Sequence, residues 1–177
     1  MQPVAPRINA AETVRNLALS QIHRNLAEVP AGLLPARPGL LALDVSKRAI
    51  GLAGADPTWS LVTPLTTIRR TRLAADLDAI GRAIRERGAG LLVVGWPLEM
   101  DGREGRRCQA VMAFARDLER ATGLPIVLQD ERLTTFAAED ALADAPAKRR
   151  RKAPDVDALA AARILEDFLG AVGRRPE

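Results

Sequence analysis

The stretch GLLALDVSKRAIGLA, residues 39–53, decides the fold of this 177-residue chain. Its first part, residues 39–44, is almost wholly apolar, which is typical of a central strand buried on both faces. The polar tip at 46–48 interrupts the run, and residues 49–53 then alternate larger and smaller side chains as a hairpin partner would. The stretch therefore predicts a β-hairpin that begins a sheet, with Asp44 at the end of its first strand.

The rest of the chain predicts one further hairpin strand and then strands that alternate with helices. Pro64 lies in the third strand and indicates an edge position or an irregularity, because proline cannot donate to the ladder. The predicted elements are strand 61–68, helix 73–87, strand 90–95, helix 104–122, strand 124–129, helix 135–142 and helix 154–169. This order implies an α/β fold with a mixed five-stranded sheet, three antiparallel hairpin strands followed by parallel strands, flanked by helices.

Residues 1–38 form an extension before this domain. Apolar residues at helical spacing predict one amphipathic helix, and they are Ala11, Val14, Ala18, Ile22 and Leu26. Prolines and a glycine at 30–35 predict a linker after it. We interpret the extension as a docked or frayed tail, and a helix that forms a homodimer or binds a partner is the alternative. The domain itself is expected to span 39–172, with a short tail at 173–177.

Composition excludes several classes of protein. The single cysteine, Cys108, rules out an internal disulfide framework and a multi-cysteine zinc site, and the single His23 rules out paired-histidine metal chemistry. No apolar run approaches the ~20 residues that span a bilayer. The N-terminus has no apolar signal core, so a cytoplasmic location is expected. A formal net charge of +4 slightly favours a polyanionic partner.

Acidic residues stand where strands and a helix begin or end. Asp44 ends the first strand, Asp130 and Glu131 follow the last strand, and Asp157 lies in the first turn of the final helix. Gathered carboxylates repel one another unless a cation is present, and a hard, oxygen-preferring ion such as Mg²⁺ relieves that repulsion. Two such ions ~3.5–4 Å apart can activate a water and stabilise the leaving oxygen of a phosphodiester.

The same acids have ordinary structural interpretations. Asp44 could end a strand at a turn. Asp155 and Asp157 could cap a helix and interact favourably with its dipole. Glu131 and Arg132 could form a surface ion pair. Composition and spacing leave this choice open.

Five consecutive cations lie between the last two predicted helices, and they are Lys148, Arg149, Arg150, Arg151 and Lys152. Such a run is usually a solvated loop. Because it closely precedes Asp157, we expect it to neutralise phosphates of a nucleic acid near the acids. Lys47 and Arg48 in the first hairpin are expected to do the same.

Four sequence blocks resemble those of the YqgF/RuvX family, and they occur in the family's order over residues 39–170. The blocks are LDVSKRAIGLA (43–53), VGWPLEMDG (94–102), DERLTT (130–135) and DALAA (157–161). The resemblance implies a ribonuclease H-like fold related to Holliday-junction resolvases. It also implies a bacterial nuclease that matures the 5′ end of pre-16S ribosomal RNA.

By position, Asp44, Glu131 and Asp157 match the family's acidic, metal-binding residues. The resemblance therefore implies that they are catalytic and bind Mg²⁺, with Mn²⁺ as the alternative, and Asp130 is a candidate additional ligand. The chain departs from the family at Ser46, where a glycine is usual and would permit a positive φ. Glu99 adds an acid to a loop expected to border the substrate.

Three alternatives to a pre-rRNA nuclease follow from these residues. The first is a Holliday-junction resolvase-like DNA endonuclease. The second is a nucleic-acid-binding or ribosome-assembly factor with this fold and little catalysis. The third is a sugar or acyl kinase of the actin-like type. The third needs two such domains and glycine-rich phosphate loops, so the chain length and Ser46 count against it.

Overall fold

A computed structural model describes residues 21–30, 32–34, 37–132 and 155–173 of the chain. The strands in this part of the chain are β1 (Ile22–His23), β2 (Gly39–Val45), β3 (Ala49–Ala55), β4 (Val62–Arg69), β5 (Ala89–Trp96) and β6 (Ile126–Asp130). The helices are α1 (Leu73–Arg87), α2 (Arg106–Thr122) and α3 (Val156–Gly173), with a 3₁₀ turn at Leu26–Glu28. No helix in the described ranges is both long and apolar enough to cross a membrane.

The strands form one mixed sheet in the order β1-β6-β5-β2-β3-β4. Strands β2, β3 and β4 pair antiparallel, whereas β5 joins β2 in parallel and β6 joins β5 in parallel. The predicted topology is therefore confirmed. Strand β4 lies at the edge of the described sheet, and the register against β3 shifts beside Pro64, as this proline indicated.

Strand β2 is buried on both faces, which explains its almost continuous apolar sequence. Leu41 and Leu43 belong to the core formed with α1 and α2, whereas Leu40 and Ala42 belong to the core formed with α3. Because successive side chains in a strand point to opposite faces, Asp44 lies on the α3 side. At the end of β2, Val45 therefore faces the core formed with α1 and α2, whereas Asp44 faces α3.

The helix ends are encoded locally. Gly88 follows α1 with φ 59°, and Gly123 follows α2 with φ 65°. Both are in the left-handed conformation that glycine adopts without steric penalty at a helix end. These glycines stop the helices where the sequence predicts. Helix α3 continues to Gly173, beyond the expected end near Leu169.

The structure corrects the prediction for the N-terminal extension. Within the described residues the sheet has six strands rather than five, because Ile22–His23 pairs in parallel with β6. The helix predicted through Ile22 and Leu26 is wrong at these two residues. The Asn25 side chain accepts hydrogen bonds from the N–H groups of Ala27 and Glu28, a local arrangement that competes with continuous helix.

The N–H of Ile126 donates to the carbonyl of Gln21, so the open edge of β6 supplies backbone partners that helical spacing along the sequence does not reveal. Other predicted features lie outside the described residues. They are the helical positions Ala11, Val14 and Ala18, the helix at 135–142 and the basic run at 148–152.

Candidate active site

Asp44 lies between two glycines in one row across the sheet. Its antiparallel partner in β3 is Gly51. On the other side Leu43 pairs with Val94, which places Gly95 of β5 next to Asp44. All three residues are on the face that α3 covers, so the space above each glycine is open to groups from neighbouring elements.

Those two spaces are filled by the other two predicted acids. A Cβ atom added at Gly95 would overlap the Oε1 atom of Glu131, whose side chain therefore lies over β5. A Cβ atom added at Gly51 would overlap the backbone carbonyl of Asp157, so the first turn of α3 packs directly on β3. The glycines thus bring Glu131 and Asp157 to opposite sides of Asp44.

Asp44 interacts electrostatically with both of the other acids, and these interactions change pKa values. Burial raises the pKa of Asp44 to about 6, and the charge of Asp157 adds to the increase. Burial also raises the pKa of Glu131 to about 7, and the charge of Asp44 adds to that increase. A cation bound here would favour the ionised carboxylates and reverse both shifts.

Carboxylate oxygens are suitable ligands for a hard divalent ion, but the described residues supply only part of its coordination shell. Among the described residues, no three Asp, Glu, His or Cys side chains are gathered as a ready metal-binding group. Mg²⁺ is usually held by one or two carboxylates, with waters and substrate phosphates as its remaining ligands. Asp44 paired with Glu131 or with Asp157 supplies such a partial set.

Asp130 differs from its neighbour Glu131. It pairs with Trp96 in the β5–β6 register, and by strand alternation its side chain is on the α1 and α2 side of the sheet. Its carboxylate accepts hydrogen bonds from Arg132, at 2.9 Å from Nε and 2.6 Å from Nη2. Burial alone would raise the pKa of Asp130, but the bonds and charge of Arg132 hold it below its ordinary value.

This geometry places the Asp130 side chain on the opposite side of the sheet from Asp44, although its charge still adds to the rise in the pKa of Glu131. It therefore does not support the hypothesis of an additional metal ligand. It also identifies Asp130 as an ion-pair partner of Arg132. The guanidinium of Arg132 lies near Gly102, where an added Cβ would be 3.3 Å from Nη1. The pair therefore packs against the loop that follows β5.

Arg107 is a residue of the site that the sequence analysis missed. It lies in the first turn of α2, and its positive charge opposes the rise in pKa of both Asp44 and Glu131. Its neighbour Arg106 is also basic. Two cations at a helix N-terminus run against the helix dipole, and this was the sequence signal that could have indicated a role.

The two departures from the family have local structural explanations. Ser46 forms the hairpin tip without a positive φ. Its hydroxyl accepts from the N–H of Ala49 at 3.1 Å and donates to the carbonyl of the same residue at 3.0 Å. The carboxylate of Glu99 lies over Gly105, the residue before α2, where an acid interacts favourably with the helix dipole.

Lys47 and Arg48 are both exposed at the hairpin tip. Lys47 lines a cleft that also contains Arg107 in its wall. Arg48 is not part of that lining, and its carbonyl accepts a hydrogen bond from the N–H of Arg70. The structure thus brings one of these two predicted nucleic-acid contacts to the neighbourhood of the acids.

Three antiparallel strands are followed by parallel strands, and acids from β2, the end of β6 and the start of α3 lie at one end of the sheet. This is the α/β arrangement that the resemblance to the YqgF/RuvX family implied. A family model described as "RuvX: Holliday junction resolvase" matches residues 39–171. The chain belongs to the RuvX family.

Curated relatives agree with this membership. The chain is 44% identical over 142 residues to a protein of Paracoccus denitrificans, covering 80% of this chain and 90% of the relative. It is 44% identical over 135 residues to a protein of Moorella thermoacetica, covering 76% and 96%. Both are named "Putative pre-16S rRNA nuclease".

Among solved structures, the chain is similar to RuvC of T. thermophilus in complex with Holliday junction substrate. The TM-score is 0.48 at 13% identity, over 77% of this chain and 96% of that one. The resolvase of fowlpox virus gives a TM-score of 0.45 at 9% identity, over 76% and 99%.

Proposed function

We propose that this chain is a Mg²⁺-dependent nuclease that hydrolyses a phosphodiester bond at the 5′ end of pre-16S ribosomal RNA. The observation that carries the proposal is the row in which Asp44 is flanked by Gly51 and Gly95, with Asp157 and Glu131 above them. Relatives named for this activity match most of the chain. Mn²⁺ is the alternative metal, and the cytoplasm is the proposed location.

In the proposed mechanism, Asp44 holds the metal together with Glu131 or Asp157. When bound, the ion supplies an activated water and stabilises charge on the phosphate oxygens. Burial of Asp44 and Glu131 excludes water and strengthens their interaction with a cation. Arg107 adds a positive charge at the same place and reduces the repulsion between these acids and the phosphates of the substrate.

The nucleic acid is proposed to contact cations from two segments of the chain. Lys47 and Arg48 come from the β2–β3 hairpin, and the run from Lys148 to Lys152 precedes α3 in the sequence. Contacts from lysine and arginine to phosphates supply affinity without reading the bases. The nuclease domain is proposed as residues 39–172, preceded by an extension, residues 1–38, that contributes β1 to the edge of the sheet. Formation of a homodimer is the further role proposed for this extension.

A four-way DNA junction is the second candidate substrate, since the matching family model is described as a resolvase. The deciding experiment compares cleavage of a pre-16S rRNA 5′ fragment and a four-way junction, each with and without Mg²⁺, by wild type and Asp44→Asn. We expect Mg²⁺-dependent cleavage of the RNA by wild type alone.

Cleavage of the junction alone would favour the resolvase activity. Tight binding of RNA without cleavage in either metal would favour a nucleic-acid-binding or ribosome-assembly factor with little catalysis. Cleavage by Asp44→Asn at the wild-type rate would contradict the assignment of Asp44 as a metal ligand.

A further inference from the structure

A cleft of about 600 Å³ opens on the side of the sheet opposite to α3. We define it as the basic cleft, lined by Ser46, Lys47, Arg70, Thr71, Arg106 and Arg107. It lies between the β2–β3 hairpin tip, the residues after β4 and the first turn of α2. Its volume is within the range of about 300–1,000 Å³ that is typical of ligand pockets.

Arg70 has a structural role in this cleft. Its Nε atom is 3.2 Å from Oδ2 of Asp76, and its Nη1 donates to the carbonyl of Ser46 at 3.0 Å. Its guanidinium also stacks over Phe114, at 5.1 Å from the ring centroid. Arg70 therefore ties the hairpin tip to α1 and α2, which makes the cleft a preformed feature of the fold.

The one acid that lines the described cleft, Asp76, forms an ion pair with Arg70. Asp76 is only 2% exposed, and its second oxygen accepts from the N–H of Thr71 at 3.2 Å. Within the described part of the chain, Lys47, Arg106 and Arg107 have no carboxylate within 4.0 Å. The cleft thus presents three exposed cations that form no ion pair with a described carboxylate, although the charge of Arg107 acts on Asp44 and Glu131 from a greater distance.

At the end of β2, the acids lie on one face of the sheet and the cleft lies on the other. Val45 lines it, and the preceding residue in β2 is Asp44 on the opposite face. The charge of Arg107 acts on both Asp44 and Glu131, as their pKa shifts record. A strand that passes from the acids around the end of β2 would therefore reach the basic cleft.

We propose that the basic cleft binds the backbone phosphates of the substrate strand next to the scissile phosphate. Lys47 and Arg106 are the phosphate contacts, and Arg107 is shared between this strand and the acids. The inference rests on the proposed nuclease function and adds to it a path for the strand. The ligand chemistry is a phosphodiester, and free inorganic phosphate is the other source of the same group.

The test is equilibrium binding of a labelled pre-16S rRNA oligonucleotide at several salt concentrations. Every protein carries Asp44→Asn so that the RNA stays intact. Lys47→Gln/Arg106→Gln removes two cations from the cleft. Arg87→Gln/Arg120→Gln is the matched control, because it removes two exposed cations from the last turns of α1 and α2. On α2, Arg120 is about 21 Å along the helix axis from Arg106.

We expect the cleft variant to bind about 25- to 60-fold more weakly at 0.1 M salt, and its salt slope to fall by about 1.4–1.8, the effect of two lost phosphate contacts. The control should stay within about twofold of its parent, because its cations lie outside the strand path. Equal affinities and slopes for the two variants would overturn the proposal.

Inorganic phosphate separates the two ligand sources. If phosphate raises the melting temperature of the parent but not of the cleft variant, while RNA affinity is the same in both, the cleft binds free phosphate and the strand path is wrong. Cleavage by the wild-type protein is measured alongside. Normal cleavage with an inert cleft overturns only this inference, whereas absence of cleavage overturns the proposed function.

Discussion

The two sides of the sheet at the end of β2 differ in how they hold charge. On the α3 side, three half-buried acids lie near the end of β2, with Glu131 over Gly95 and the backbone of Asp157 over Gly51 on either side of Asp44. On the α1 and α2 side, the cations of the basic cleft are exposed. The hairpin tip that carries Lys47 is held by Arg70, which bonds to the carbonyl of Ser46 and to Asp76. Gathering buried like charges opposes folding, whereas exposed cations have little effect on stability. The acidic side is therefore expected to require a ligand far more than the basic side.

The largest expected effect comes from Asp44→Asn, which removes the charge that both other acids face. Cleavage should fall by more than about 100-fold, since loss of even an outer partner of a metal ligand costs about 10–100-fold. In the absence of metal, the melting temperature should stay the same or rise, because a buried like charge is removed. Cleavage assays and thermal melts check both parts, and a sharp loss of stability would contradict the second.

The next largest effect is expected from Gly95, one of the two glycines beside Asp44, because it leaves space for the Glu131 side chain. Gly95→Ala places a methyl group where the Glu131 carboxylate lies, so Glu131 has to move. A displacement of about 1 Å in a catalytic group can cost about 100-fold in rate. Gly54→Ala in β3 is the matched control, because its added Cβ would be 3.5 Å from Leu65 Cδ1, an ordinary contact. Equal activity of the two variants would show that the position of Glu131 is unimportant.

The run from Lys148 to Lys152 extends the comparison to cations outside the described residues. Replacement of all five with Gln should weaken binding about equally for different RNA sequences, because phosphate contacts do not read bases. We expect the loss of about two to three contacts, each worth ~0.7–0.9 in the slope of log K against log salt. A solvated spacer would leave both affinity and slope unchanged.

The acids should also make stability depend on pH and metal. Burial raises the pKa of Asp44 to about 6 and that of Glu131 to about 7, so the folded state binds more protons than the unfolded state above pH ~4. Without metal, the free energy of unfolding should therefore receive a contribution from these groups that decreases as pH rises from ~4 to ~7.

Mg²⁺ should reduce this decrease and stabilise the folded state by up to about 2.7 kcal/mol at a hundredfold excess over Kd. The melting temperature should therefore rise more at pH 8 than at pH 5.5. Thermal melts at both pH values with and without Mg²⁺ provide the measurement. An equal Mg²⁺ shift in Asp44→Asn would place the ion elsewhere.

The smallest expected effect lies on the basic side. Arg106→Gln removes a cation from the first turn of α2 and should raise stability by about 0.3–1 kcal/mol at low salt, since the helix dipole disfavours cations there. Arg120→Gln in the last turn should change stability in the opposite direction. Denaturant titration of both variants tests the prediction. A stabilised Arg106 variant that binds RNA poorly would indicate that this cation serves binding rather than folding.

Much of the fold could be predicted because its signals are local. The apolar run of β2 and the glycines after α1 and α2 encode their structures within a few residues. The strand at Ile22 could not be predicted in this way, because its hydrogen-bonding partners are supplied by β6, about a hundred residues later in the chain. Helical spacing favoured a different structure there, and pairing at the sheet edge overrode it.

The candidate site was also predictable only in part from the sequence. The sequence by itself determined which acids are available, and the resemblance carried by the four blocks predicted that Asp44, Glu131 and Asp157 act together. Only the tertiary structure decided between the adjacent residues Asp130 and Glu131, because strand alternation and the space over Gly95 direct Glu131 toward Asp44 while Asp130 pairs with Arg132.

The interaction of Arg107 with the acids likewise depends on the tertiary structure. Its charge acts on Asp44 and Glu131 only because α2 begins where β2 and β6 end, and electrostatic influence depends on distance in space rather than separation along the chain.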